Sequence, residues 1–162
     1  MLRSGRDRLG SATAATVTPM TSATTDSAPP LLRRATQATI TAGGVAAVAN
    51  LVIYGVAKGM GADLIVPESP GSDAVEELAV PSVLMSSIVP ILVAGMLAVA
   101  LRRFAMGRAS TIFTIVVAIG FVGSFMPFLT SDFSAGTAVA LFLMHPVVAG
   151  AALHYVRPLT AS

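Results

Sequence analysis

With 162 residues, 54% of them hydrophobic and only 11% charged, and a mean hydropathy of +0.81, the chain lies far from the roughly 25% charged content of soluble domains. The absence of cysteine excludes disulfides, thiolate metal sites and thiol redox catalysis within it. A net charge of +2 and a pI near 9.7 would suit nucleic acid, but the basic residues flank apolar runs instead of forming one patch. Membrane topology explains them, and no nucleic-acid partner is expected.

Residues 1–36 are rich in Ser, Thr, Ala and Pro and carry Arg3, Arg6, Arg8, Arg33 and Arg34 without an apolar period, which predicts a disordered basic tail. The stretch from Met20, MTSATTDSAPPLLRR, would itself make an ordinary N-terminus, so translation could begin there and leave residues 1–19 unmade. N-terminal sequencing that finds them would dispose of the idea.

Four apolar runs follow, at about 38–58, 82–101, 110–129 and 137–156. Each holds about 20 residues, or about 30 Å at 1.5 Å per residue, enough to cross the hydrocarbon core. The first exceeds the apolar core of a signal peptide and sits behind a long tail, so a retained helix is expected. The predicted fold is all-α, an antiparallel bundle of four transmembrane helices over residues 37–157 with a short tail at 158–162. The connection from Gly59 to Pro81 is the longest, and its DAVEELAV segment has capping-box spacing between Asp73 and Glu76, predicting a short surface helix.

Nine of the ten basic residues fall in the tail, the Arg102-Arg103-Arg108 loop and Arg157, leaving Lys58 alone on the other side. The positive-inside rule then places both termini in the cytoplasm. Asp63, Glu68, Asp73, Glu76, Glu77 and Asp132 share the outer side with Lys58, a solvated acidic face of about −5 in the simplest reading, or a surface attracting cations.

Against this topology the polar residues of the spans gather in one layer. Asn50 and His145 each lie eight residues from the outer end of their span, about 12 Å deep, and Tyr54, Ser86, Ser87 and Ser124 are shallower on the same side. Helical phase puts Gly43, Ala46, Ala47, Asn50, Tyr54 and Ala57 on one face, and His145 with Ala138, Leu141, Val148, Ala149 and Ala152 on another. Gly120 and Ser124 form a small-x-x-x-small pair, a weak packing signal. Pro90 and Pro146 deprive the Ser86 and Phe142 carbonyls of their helical partners, and the polar layer is expected to supply donors.

His145 admits three readings. It can bond across helices as structural glue, it can contact a ligand or handle protons, or it can hold a metal or haem. The structural reading is preferred. His145 and His154 stand about 900° and about 13.5 Å apart, so they cannot be two axial ligands of one haem. His154, beside Tyr155 and Arg157, suits an interfacial anchor. No phosphate loop, carboxylate pair within a span or metal-ligand cluster is present, so no catalytic residue and no cofactor are expected.

Three segments carry a resemblance: NLVIYGVAKGMGADLIVP at the exit of the first span, the Arg102-Arg103 loop leading into TIFTIVVAIGFVGSFMPF, and LMHPVVAGAAL in the last span. Over residues 38–157 the chain resembles a family of small four-helix bacterial membrane proteins of unknown function. The resemblance implies a four-helix fold in a bacterial inner membrane, with no reaction, cofactor or partner to carry across. The expected function is a non-enzymatic component that packs against another membrane protein or itself. The alternative is a binder or carrier of a small lipophilic or protonatable ligand, held by the cluster of Asn50, Tyr54, Ser86, Ser87, Ser124 and His145.

Overall fold

A computed structural model describes residues 30–68, 72 and 74–161. In chain order these form α1 (Leu31–Gly59), strands β1 (Ile65–Pro67) and β2 (Val75–Glu77), α2 (Val80–Phe104), α3 (Ala109–Gly123), the short α4 (Met126–Thr130) and α5 (Ala135–Ala151). A π-helical turn over Ala152–Val156 and a 3-10 turn over Arg157–Thr160 complete the last span. Four stretches, Leu31–Gly59, Val80–Phe104, Ala109–Leu129 and Ala135–Thr160, are long and apolar enough to cross a membrane.

Helix α1 begins at Leu31, ahead of the predicted Ala38, because the Pro30 carbonyl accepts from Arg33 N–H at 2.9 Å and Arg34 N–H at 3.3 Å and so nucleates the first turn. Arg33 and Arg34 therefore belong to the helix, where their long stems let the charged heads reach outward. The predicted disorder of 1–29 lies outside the described residues. Along α1 the buried positions Ala35, Thr39, Ala42, Gly43, Ala46, Ala47 and Asn50 repeat at the helical period and face α2 and α5. Gly95 of α2 makes the closest approach: a Cβ there would overlap Thr39 Oγ1 and lie 3.1 Å from its Cγ2, so only glycine fits.

The segment expected to be a surface helix is instead half of a hairpin. Ile65, Val66 and Pro67 pair antiparallel with Glu77, Glu76 and Val75. Leu64 anchors the hairpin with a fully buried side chain, a left-handed backbone at φ 51°, and a carbonyl that accepts from Leu78 N–H at 2.8 Å. That conformation costs a bulky residue free energy, which burial of the side chain offsets. Capping-box spacing alone cannot outweigh a partner strand.

The third span is broken. α3 ends at Gly123, and Ser124 and Phe125 turn into α4, whose second residue is Pro127. Proline suits the first turn of a new helix and disfavours continuation of the old one. Only Ala109 and Phe113 of α3 are buried, both near the end that carries the arginines. α3 is thus pinned at that end, and only 6% of its span is covered by the rest of the chain, against 33% for α2.

Where a C-terminal tail was expected at 158–162, the chain remains docked. Arg157 N–H reaches back five residues to the Ala152 carbonyl, widening the last turn, and Leu159 and Thr160 are buried. The Arg102 guanidinium donates to the carbonyls of Leu159 at 3.1 Å and Ala161 at 2.9 Å, while Arg157 Nε donates to Ser110 Oγ at 3.1 Å. The core, built from residues such as Ala42, Ile91, Ala98, Phe113, Ala152 and Val156, accordingly concentrates toward the arginine end.

Candidate functional site

Because α3 is held at one end only, the space between it, α2 and α5 opens toward the hairpin into a cavity of about 1090 Å³. This is slightly above the usual range of ligand pockets. Along α2 its lining runs from Ser82 to Leu97, about 22 Å at 1.5 Å per residue. The hairpin closes one end with Val66, Glu68 and Glu76, and the walls deeper in are apolar, including Ile91, Val117 and Val148. Val89 and Val93 of α2 and Val116 of α3 line it and are also exposed, so the cavity opens sideways onto whatever surrounds the helices.

Four of the six residues singled out from the sequence meet in this wall: Asn50, Ser86, Ser124 and His145. Ser87 stands behind Asn50 as its partner, and Tyr54 does not reach the cavity. On α5 the His145 stripe, apart from Ala138, faces the cavity and not the buried interior. Leu141, His145, Val148, Ala149 and Ala152 line the cavity, while Thr137, Ala140, Met144 and Ala151 are the buried positions of the helix, Met144 also reaching the cavity. Gly120 and Ser124 also line it, and no atom lies within 4 Å of a Cβ placed on Gly120, so that pair opens space instead of packing.

The hydrogen bonds correct the expectation about the prolines. α2 and α5 run through Pro90 and Pro146, and the side-chain donors of the polar layer serve other carbonyls. Ser86 Oγ and Ser87 Oγ both donate to Val83, at 3.1 and 2.7 Å, and Ser124 Oγ donates to Phe121 at 2.6 Å. His145 Nδ1 lies 2.6 Å from the Leu141 carbonyl. Local serine and histidine bonds to the preceding turn are closer at hand than a neighbour's freed carbonyl. The hydrogen bond of His145 thus stays within its own helix.

These bonds fix what the cavity offers. The contact to Leu141 requires a proton on Nδ1, which leaves Nε2 of a neutral imidazole as an acceptor. Asn50, 2% exposed, donates Nδ2–H to Ser87 Oγ at 2.9 Å, and because Ser87 spends its own proton on Val83, the amide orientation is set. Its Oδ1 is left buried without a hydrogen-bond donor. An orphaned buried acceptor costs about 1–3 kcal/mol.

An aromatic cluster absent from the sequence reading surrounds the histidine. The Phe125 and Phe128 rings lie 5.5 and 6.0 Å from the imidazole, Phe142 lies 5.3 Å and Phe121 5.0 Å from Phe125, and Phe133 lies 5.4 Å from Phe128. The spacing of Phe121, Phe125 and Phe128 at i, i+4 and i+7 was the available signal. Phe133 and Phe142 join only through the tertiary fold. Among the described residues no three His, Asp or Glu side chains converge as metal ligands.

Helices with exposed faces of residues such as Ile40, Val48, Val52, Ile119 and Val139 fit hydrocarbon and not water. Fold and surface together define a four-span membrane protein with a side-opening cavity. The chain belongs to the family of unknown function DUF6069, whose family model matches residues 30–161. No curated protein and no solved structure matches it.

Proposed function

We propose that this chain is a non-catalytic membrane component that binds a small lipophilic molecule taken sideways from the bilayer, with Asn50 and His145 as its polar contacts. The observation that carries the reading is the unpartnered Oδ1 of Asn50, a residue in the wall of a large and mostly apolar cavity. A buried acceptor costs free energy until a donor meets it, and a bound hydroxyl or amine would supply one. The imidazole, framed by Phe125 and Phe128, offers a second acceptor at Nε2.

The bacterial cytoplasmic membrane with both termini inside is the proposed setting. It is supported by Arg102, Arg103, Arg108 and Arg157 at one end of the bundle and the Glu68 and Glu76 hairpin at the other. A second reading, packing against another membrane protein or a second copy, is favoured by the outward apolar stripe of α1 at Ile40, Val48 and Val52.

The test extracts the purified protein with organic solvent and identifies co-purifying molecules, normalised to folded protein, for wild type, His145→Ala and His145→Gln. The binding reading expects a defined molecule on the wild type, depleted in His145→Ala at equal folding and partly retained in His145→Gln, whose amide oxygen still accepts. Equal yields from all three would remove His145 from the site, and folding loss in proportion to any depletion would return it to a structural role.

A further inference from the structure

Resting on the reading that the cavity holds a lipophilic molecule, we infer that its ligand class is the cationic amphiphile: an alkyl-chain amine whose ammonium sits beneath the hairpin at Glu68 and Glu76 and whose tail follows α2. Four observations converge on the sign of the headgroup. Glu68 and Glu76 line the hairpin end of the cavity, and no Lys or Arg lines it anywhere. Neither of these carboxylates has an ion-pair or hydrogen-bond partner among the described side chains, whereas Glu77 is already paired with Lys58. The buried Asn50 Oδ1 is an acceptor with no donor. The hydroxyls of Ser86 and Ser124 point their protons at their own helices, so they are spent as donors to a ligand.

Ser82 and Ser131 keep hydroxyl protons, so what selects the sign of a headgroup is the pair of carboxylates without a lining cation. An ammonium at the hairpin end meets two carboxylates of exposed residues, an attraction that is modest and weakened by salt. A carboxylate or phosphate headgroup there meets like charges with no cation in the lining to pair it, which disfavours it. The stretch of about 22 Å along α2 from Ser82, near the hairpin, to Leu97 gives an alkyl chain an apolar path past Val89, Val93 and Ile91. One end of the cavity selects charge and the rest selects hydrocarbon.

The experiment places the full chain in nanodiscs of a zwitterionic lipid and titrates dodecylamine, 1-dodecanol and dodecanoate, counting saturable adducts by native mass spectrometry. Dodecylamine is expected to saturate at a concentration roughly tenfold or more below that of dodecanoate, with the alcohol between. The double variant Glu68→Gln, Glu76→Gln is expected to bring the amine to the level of the alcohol and leave the alcohol unchanged. Dodecanoate binding as tightly as the amine, or an amine preference that survives the double variant, would overturn the charge selection while leaving a lipophilic cavity in place. Absence of saturable binding by all three probes would overturn the cavity reading itself, with water as the partner of Asn50.

Discussion

Asn50 and Ser87 are joined across the α1 and α2 interface by one bond, Nδ2–H to Oγ at 2.9 Å, and that bond orphans Asn50 Oδ1 by turning it away from the serine. The serine cannot serve it, because its proton goes to Val83. The pair thus holds helices together and keeps an acceptor unmet in the same stroke.

Asn50→Leu removes both halves of that arrangement with a side chain of similar size. The ligand-free protein is expected to gain about 1 kcal/mol, or to stay unchanged, since the orphan's cost of about 1–3 kcal/mol outweighs one hydrogen bond. Bound molecule should fall at the same time. Thermal unfolding in detergent, read together with solvent extraction, checks both signs. Lower stability with unchanged extract would mean that Asn50 serves packing alone.

Gly95→Val should destabilise the bundle by about 1–3 kcal/mol or prevent its assembly, because even the first added carbon collides with Thr39 across the tightest helix contact. Gly44→Ala is the matched control, since nothing lies within 4 Å of the added carbon. It should leave stability unchanged or slightly raised. Unfolding curves of the two variants side by side give the comparison.

How much of this was readable in advance follows the range of the interactions. The inward face of α1 from Gly43 to Asn50 is a local, 3.6-residue pattern and was legible at once, as were the four spans, whereas its continuation back through Thr39 to Ala35 was not, because Arg33 and Arg34 made that stretch read as tail. The hairpin was not: Val75–Glu77 is a strand only because Ile65–Pro67 lies beside it and Leu64 is buried beneath. The layer of Asn50, Ser86, Ser124 and His145 was readable from depth, yet the space they enclose depends on α3 leaving α2 beyond Phe113, which no spacing records. Pro127, second residue of α4, is the local signal of the break in the third span, yet Pro90 and Pro146 lie inside continuous helices, so a proline in an apolar run does not by itself mark a break.

Arg102→Ala should free the C-terminal turn. Its guanidinium holds two carbonyls of the last five residues, and no other side-chain bond among the described residues reaches those carbonyls. The expected outcome is faster amide hydrogen exchange confined to residues 157–161, with the cavity and its contents unaffected. Arg102→Lys should restore protection only in part, because an ammonium lacks the planar fork of the guanidinium.

The cysteine-free sequence allows a direct reading of orientation. Ser72→Cys, in the hairpin connection, should react with a membrane-impermeant thiol reagent in intact cells, and Ser162→Cys should react only after the membrane is opened. The reverse pattern would invert the proposed topology.

The most direct test of the central claim is native mass spectrometry of the intact protein, released gently from detergent, compared with Gly120→Phe. Gly120 lines the cavity and has open space where its side chain would begin, so phenylalanine can occupy the cavity without straining the backbone. A reproducible extra mass on the wild type that Gly120→Phe lacks, at equal folded yield, is the result predicted here. A bare chain in both, or the same adduct on both, would contradict the cavity as the seat of function.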